Sequence, residues 1–233
     1  MDTLSITWFG HSTFLLRTPG GKRMLFDPWL TSNPSCPDAM RKPPKADLIL
    51  ASHGHFDHIE DLLLCARDSG APVIGIFELC DWLGRQGIQN TSPMNKGGSQ
   101  TIAGLRVTMT DARHSSGFFD NGQMVYMGEP AGYVVRLEDG LTLYYAGDTS
   151  LFGDMRLIGE MHRPDIAFLP IGDRFTMDPT AAAKACALLG VRQVVPMHWG
   201  THPLLTGTPQ ELRALVDLDG VQVLELKPGE TTE

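Results

Sequence analysis

The sequence of 233 residues contains only four cysteines, and none of them is closely paired with another. Cys36, Cys65, Cys80 and Cys186 form no C-x-x-C motif, which excludes the usual cysteine-based zinc and redox sites. Their wide spacing does not suit a small secreted scaffold held together by disulfides. We therefore expect four reduced thiols, most of them buried.

Long apolar runs are also absent. No stretch approaches the roughly 20 apolar residues that a membrane-spanning helix needs. The first six residues, MDTLSI, lack the basic and apolar segments of a signal peptide. We therefore expect a cytoplasmic protein that has no membrane partner.

Positive charge is in deficit. Lys and Arg number 19 against 27 Asp and Glu, which gives a formal net charge of −8. Such an acidic chain is poorly suited to bind a nucleic-acid backbone over a broad surface, so no nucleic-acid partner is expected. No Ser- or Gly-rich linker divides the sequence, and we predict one domain over residues 1–233.

Hydrophobic patterning and turn residues predict a chain rich in short strands. Strands are predicted over residues 6–9, 13–17, 24–26, 47–51, 73–77, 100–102, 105–110, 132–137, 141–146, 165–169, 193–195 and 221–226. Helices are predicted over residues 59–67, 78–86, 179–189 and 209–216. Antiparallel strands followed by β–α units in both halves predict an α/β fold with two sheets and helices outside them.

The most distinctive motif is His53-x-His55-x-Asp57-His58, which directly follows an apolar strand. Imidazole nitrogen and carboxylate oxygen are the usual ligands of zinc and similar divalent metals. Residues two apart in an extended segment point to the same side, so His53 and His55 are expected to face one metal. Asp57 and His58 lie where the chain turns into a helix and are placed to face a second.

Three further candidates each follow a predicted strand. They are His114, Asp148 and His198, and each has small residues or Gly beside it, as a crowded ligand loop requires. With the first motif they supply five histidines and two aspartates. This set suits two metals: three imidazoles on one, two imidazoles and Asp57 on the other, and Asp148 between them.

These residues, in this order, resemble the metallo-β-lactamase superfamily. Further segments are similar to its short branch of metal-dependent hydrolases related to ascorbate-6-phosphate lactonase: WFGHST (8–13), RHSSG (113–117), AGDT (146–149), LFGDM (151–155), LPIGDRFTM (169–177) and PMHWGT (196–201). The resemblance runs from about Thr3 to the C-terminus. It implies a four-layer αββα sandwich with two mixed sheets and the metals at one edge.

The resemblance also implies a ligand set. His53, His55 and His114 would hold the first metal, Asp57, His58 and His198 the second, and Asp148 would bridge the two. Zinc is the expected metal, and imidazole with carboxylate also accepts manganese or iron. By analogy, a homo-oligomer is expected.

The expected activity is that of a dinuclear metal-dependent hydrolase. A metal-activated hydroxide would attack a small ester, lactone or phosphoester, and Asp57 would orient the water or accept its proton. The alternative is a phosphodiesterase that acts on a nucleotide or lipid headgroup. The third hypothesis is a metal-binding or sensing protein without hydrolytic activity, and it ranks last because no flavin domain accompanies the site.

Five other residues are candidates for contacting the small-molecule substrate or supporting a metal ligand: His11, Asp173, Thr176, Met177 and His202. His202 stands where the resembling branch leads us to expect an aromatic residue. The segment 117–128 is expected to be a longer and more irregular loop than in that branch. Both features flank candidate ligands and are expected to shape the pocket.

Overall fold

A computed structural model describes residues 3–216 and 220–232. The strands, numbered in chain order, are β1 (Ser5–Gly10), β2 (Thr13–Arg17), β3 (Arg23–Phe26), β4 (Leu48–Leu50), β5 (Val73–Ile76), β6 (Thr91–Met94), β7 (Ser99–Ile102), β8 (Leu105–Asp111), β9 (Gly117–Asp120), β10 (Gln123–Tyr126), β11 (Ala131–Arg136), β12 (Thr142–Tyr145), β13 (Ile166–Pro170), β14 (Gln193–Met197), β15 (Gln222–Val223) and β16 (Thr231–Thr232). The helices are α1 (Phe56–Ile59), α2 (Leu62–Ser69), α3 (Phe77–Arg85), α4 (Met155–His162), α5 (Pro179–Leu189) and α6 (Pro209–Val216).

Two seven-stranded sheets form the centre of the fold. The first has the order β16-β1-β2-β3-β4-β5-β6, and the second has the order β15-β14-β13-β12-β11-β8-β7. Each sheet is antiparallel on one side and parallel on the other. Parallel neighbours need a crossover, and helices α1 to α6 supply it for the described parallel pairs other than β3–β4. The predicted α/β fold with two mixed sheets and helices is confirmed.

The core lies between the two sheets. Phe14 of β2 meets Phe168 of β13 with ring centroids 5.1 Å apart, and Phe26 of β3 meets Tyr145 of β12 at 4.6 Å. The Tyr133 hydroxyl of β11 donates to the backbone oxygen of Ala51 at 2.7 Å. These aromatic side chains are buried, so the packing of one sheet against the other removes a large apolar area from water.

Local capping explains why two helices begin and end where the sequence predicts. The Asp178 side chain accepts from the backbone N–H of Ala181 at 2.7 Å, Pro179 occupies the first helical position of α5, and Gly190 ends it with φ 66°. Before α6, Thr208 and Glu211 exchange hydrogen bonds in a capping box. Both helices have the predicted bounds.

The predicted helix over residues 59–67 is wrong in extent. The chain forms α1 and α2 instead, and the two helices are separated at Asp61. The buried Asp61 carboxylate accepts from the backbone N–H groups of Leu30 and Thr31 at 2.6 and 2.9 Å, and its own N–H donates to the Pro28 oxygen. These contacts with a distant loop interrupt the helix. The earlier start at Phe56 places Asp57 and His58 on a helical turn.

The irregular loop expected over residues 117–128 is largely a hairpin of β9 and β10. Its two-residue turn is Asn121-Gly122, with φ values of 49° and 80°, as a type I′ turn requires. Helix α4 and strands β6 and β16 were not expected from the patterning. The final predicted strand, 221–226, is reduced to β15.

Among the described residues, none of the helices has the length and apolar character needed to cross a membrane. The four cysteines are free and buried, which confirms the expectation of unpaired thiols. Burial raises the pKa of Cys65, Cys80 and Cys186 to about 12, so none of these thiols is a reactive nucleophile near neutral pH.

Gly172, which follows β13, offers a test of how closely the loop after β13 packs against His198. A Cβ atom at this position would stand 2.0 Å from the His198 carbonyl oxygen, whereas one at Gly153 would have no atom within 4 Å. We expect Gly172→Ala to lower the free energy of unfolding in urea by about 1–3 kcal/mol because the backbone must shift. The matched change Gly153→Ala should stay within about 0.5 kcal/mol. Equal effects of the two changes would contradict this account of the packing.

Candidate metal centre

Candidate ligands follow strands that end at the same edge of the fold. They are His11 after β1, His53 and His55 after β4, His114 after β8, Asp148 after β12 and His198 after β14. Strands β8, β12 and β14 run in the same direction, so their carboxyl ends meet at one edge of the second sheet. Helix α1 adds Asp57 and His58 from the first sheet's side.

The first group consists of three imidazoles. His53 Nε2 lies 3.0 Å from His55 Nδ1, and His114 Nε2 lies 3.2 Å from the same nitrogen. One nitrogen from each of the three rings lies within 4.8 Å of the others. Three imidazoles that converge on one point are a typical donor set for zinc and related divalent metals.

The second group combines a carboxylate with imidazoles. Asp57, His58 and His198 come together, and His11 joins them within the same 4.8 Å limit. Asp57 Oδ2 lies 3.9 Å from His198 Nε2 and 3.1 Å from His11 Nε2. Such a mixed oxygen and nitrogen set also suits a divalent metal.

Asp148 lies between the two groups. Its Oδ2 is 3.0 Å from His198 Nε2 and 3.3 Å from His58 Nε2 in the second group. The same oxygen is 3.6 Å from His114 Nε2 and 3.9 Å from His53 Nε2 in the first. One buried carboxylate oxygen thus reaches histidines of both groups, which is the position that a shared ligand needs.

A buried aspartate that the sequence did not single out orients two of these histidines. Asp27 Oδ2 accepts from His58 Nδ1 at 2.8 Å and from the Ser52 hydroxyl at 2.6 Å. The Ser52 oxygen in turn lies 3.0 Å from His53 Nδ1 and can accept from it. Both histidines then carry a proton on Nδ1 and turn Nε2 toward Asp148. A carboxylate behind the imidazole is the usual support of a metal-binding histidine.

His11 supports Asp57 in a similar way. An ionised carboxylate only accepts, so His11 Nε2 donates to Asp57 and His11 Nδ1, 2.9 Å from the Thr201 hydroxyl, is left to accept. Burial and the neighbouring His198 lower the pKa of His11 to about 3, which keeps the ring neutral. In this arrangement His11 positions Asp57 rather than offering a lone pair to an ion.

The electrostatics of the pocket concentrate opposite charges. Burial alone would lower the pKa of His58, but the negative Asp148 and Asp27 hold it well above its usual value. Burial would likewise raise the pKa of Asp148, and the nearby His198 and His58 hold it well below the usual range. The pocket therefore favours positive charge beside Asp148. A divalent ion would supply that charge without requiring several neighbouring histidines to be protonated together.

The unpaired atoms of the pocket fit a metal. Asp148 Oδ1 and His58 Nε2 are buried and form no hydrogen bond within the described part of the chain. Leaving such groups unpaired is costly, and bound ions would satisfy them. The donor chemistry and these unpaired atoms together indicate that the residues fit divalent metal ions.

A cleft of about 780 Å³ opens above the two groups. His11 and His202, both predicted to contact substrate or support a ligand, line it. Asp173, Thr176 and Met177 do not: Asp173 is exposed and accepts from the neighbouring Arg174 N–H, and Met177 is buried with its N–H on the Thr149 oxygen. Phe175, within the same loop, lines the cleft in their place.

Other contributors to the site were missed for an identifiable reason. Asp27 directly follows a predicted strand, as Asp148 nearly does, so the strand-end argument would have found it. The apolar residues of the cleft carry no such signal. Phe119 and Met124, for example, are residue types that are more common in a core than in a binding site.

Comparisons with known proteins agree with this geometry. A model of the beta-lactamase superfamily domain matches residues 22–199. A UPF0173 metal-dependent hydrolase of Koribacter versatilis is 48% identical over 231 residues, covering 99% of this chain and 98% of that protein. One of Rubrobacter xylanophilus is 49% identical over 228 residues, covering 97% and 94%.

A solved structure is also similar over nearly its full length. Igni18, a metallo hydrolase from the archaeon Ignicoccus hospitalis, superposes with a TM-score of 0.88 at 36% identity and covers 99% of this chain and 98% of that one. The two mixed sheets and the histidine–aspartate cluster at their edge define a protein of the metallo-β-lactamase superfamily. Within it, the chain belongs to the family of UPF0173 metal-dependent hydrolases.

The supporting role of Asp27 can be tested by measuring the free energy of unfolding. Asp27→Asn should lower the free energy of unfolding by about 2–4 kcal/mol, because Asn turns one NH₂ group toward donors and leaves His58 without its carboxylate. Urea unfolding with a chelator present separates this effect from metal binding. Asp47→Asn, which removes the partly exposed pair with Arg23 at 3.0 Å, should cost less than about 1 kcal/mol. A cost for Asp27→Asn no greater than this control would refute its supporting role.

Proposed function

We propose that the protein is a dinuclear hydrolase that cleaves a small ester, lactone or phosphoester. The observation that carries this proposal is the position of Asp148 Oδ2, within 4 Å of histidines from both ligand groups. His53, His55 and His114 would hold one ion, Asp57, His58 and His198 the other, and Asp148 both. Zinc is the proposed metal, with manganese or iron as alternatives.

Two divalent ions held there would lower the pKa of a water molecule and polarise the bond to be cleaved. The protein's own groups supply position and proton transfer. Asp57 lines the cleft, and against the effect of burial the hydrogen bond that His11 donates to its Oδ2 holds its pKa well below the usual range. Asp57 therefore stays ionised and is placed to orient a water or accept its proton.

Two alternatives remain as outcomes of experiment. A phosphodiesterase acting on a nucleotide or lipid headgroup would use the same ligands, and a metal-binding or sensing protein would bind ions without hydrolysis. Metal analysis and an ester, lactone and phosphodiester screen on one preparation, with and without chelator, separate the three. A cytoplasmic location, a homo-oligomer and a small-molecule substrate stay predictions.

The bridging role of Asp148 gives the most direct test. Asp148→Ala removes the one oxygen that reaches both groups, so we expect elemental analysis to find at least one metal fewer per chain, with hydrolysis reduced by about 100-fold or more. Asp154→Ala is the matched control, since Asp154 precedes α4, is exposed and makes no capping hydrogen bond. Two metals per chain in a folded Asp148→Ala variant would refute the bridging assignment.

A further inference from the structure

The cleft above the candidate metal centre has apolar walls. Its volume of about 780 Å³ falls within the range typical of small-molecule sites. The remaining lining is mainly aromatic and aliphatic, and the polar part is formed by five of the candidate ligands with four other residues: His55, Asp57, His114, Asp148 and His198, with His11, Glu60, Ser115 and His202. The chemistry of those walls bears on which substrates can enter.

One wall is the β9–β10 hairpin. Phe119 and Met124 are directly paired across its two strands, so both side chains lie on the same face, and both line the cleft. They are 67% and 61% exposed. Large apolar side chains that remain exposed beside a polar centre are typical of a binding surface.

This wall is held in place from behind. The Asp120 carboxylate accepts from Trp82 Nε1 at 3.0 Å and from Gln86 Nε2 at 3.1 Å, which ties the hairpin to α3 and the residue after it. The Trp82 ring also meets Phe118 with centroids 5.6 Å apart. The apolar face is therefore presented by an anchored ribbon, which lowers the entropy cost of binding a ligand against it.

The facing walls are apolar as well. Phe56 comes from α1, Phe175 from the loop after β13, and Leu205 from the loop before α6. Phe56 and Phe175 are both more than half exposed. Three separate segments thus place apolar side chains around the entrance to one polar floor.

Charge in the cleft is acidic. Of the described residues that line it, none is Lys or Arg, and Glu60 adds a carboxylate to those of Asp57 and Asp148. The arginine adjacent to His114 in sequence, Arg113, lies over the Phe152 ring at 5.5 Å instead. Anionic groups such as phosphate are usually bound by arginine and lysine side chains. Here three carboxylates offset most of the charge of two divalent ions.

We infer that this cleft selects an uncharged carboxylic ester or lactone whose acyl part is apolar, and that it selects against anionic phosphoesters. The inference rests on the proposed hydrolysis at the same centre. In that reaction water adds to the acyl carbon and the acyl C–O bond breaks. One proton of the water passes to the departing alkoxide and the other stays on the new carboxyl group, which leaves an acid and an alcohol from an ester, or a single hydroxy acid from a lactone.

The first test compares two p-nitrophenyl esters of equal length, the valerate and the monoester of glutaric acid, which differ in one terminal carboxylate. With metal-loaded protein, kcat/KM for the valerate should exceed that for the glutarate by about tenfold or more, because the terminal carboxylate must leave water for apolar walls that carry no Lys or Arg side chain. Equal values, or a preference for the glutarate, would overturn the inference.

The second test uses chain length and a matched pair of variants. From p-nitrophenyl acetate to hexanoate, kcat/KM should rise about three- to fourfold for each methylene that enters the apolar walls. Met124→Asp should reduce that slope. Met161→Asp, at a position that is 75% exposed on α4 and outside the cleft, should preserve it. An unchanged slope in Met124→Asp would contradict the assignment of the hairpin.

A third measurement does not depend on turnover. Calorimetric binding of the neutral amide N-phenylhexanamide to the metal-loaded protein should weaken about tenfold in Met124→Asp and stay unchanged in Met161→Asp. No weakening would overturn the inference even if esters are cleaved.

A phosphodiester separates the two proposals. Faster turnover of bis(p-nitrophenyl) phosphate than of the hexanoate would overturn the inference on substrate class and leave the proposed hydrolase intact. A protein that is inert toward both substrates would refute the proposed hydrolase activity. The binding of N-phenylhexanamide would then decide by itself whether the cleft prefers apolar ligands.

Discussion

The buried carboxylate of Asp27 is the interaction on which both the core and the metal centre depend. It accepts from the Ser52 backbone and hydroxyl at 2.7 and 2.6 Å, from His58 at 2.8 Å and from the Tyr145 hydroxyl at 2.7 Å. Ser52 follows a strand of the first sheet, while Tyr145 belongs to the second. One side chain therefore joins the two sheets and sets the ring orientation of a candidate ligand. Packing between the sheets and the geometry of the centre cannot vary independently.

Local signals made much of this structure predictable. The bounds of α5 and the start of α6 follow from capping residues beside the helices, and the histidine motif is contained in six consecutive positions. Prediction was wrong where a distant contact decided the local conformation. The Asp61 carboxylate accepts hydrogen bonds from the backbone N–H groups of Leu30 and Thr31, and no sequence pattern near Asp61 indicates that contact. The Asn121-Gly122 turn, by contrast, is a hairpin signal within the sequence itself, so the expectation of an irregular loop over residues 117–128 is wrong for a local reason.

Sequence reasoning identified the candidate ligands and expected His202 and the segment 117–128 to shape the pocket, but it did not predict the apolar side chains that line the cleft. His114, Asp148 and His198 share a recognisable position after strands, and their chemistry is specific. Phe56, Phe119 and Phe175 belong to residue types that fill cores, so only the three-dimensional arrangement shows that they surround a cleft. The candidate metal centre and the apolar cleft are therefore encoded differently: the centre in residue type and order, the cleft in the placement of ordinary apolar side chains.

The turns at His11 and His198 have a consequence for how the protein folds. Both residues have φ of 56°, a strained conformation outside glycine, and the His198 N–H donates to the His11 oxygen at 3.0 Å. His11 and its partner Thr201 lie 190 positions apart, so this part of the centre closes only when the first and last thirds of the chain have docked. Contacts of such sequence separation form late and slowly. Ions that need the finished cluster would bind the native chain more tightly than its unfolded forms, so bound metal would stabilise the completed fold.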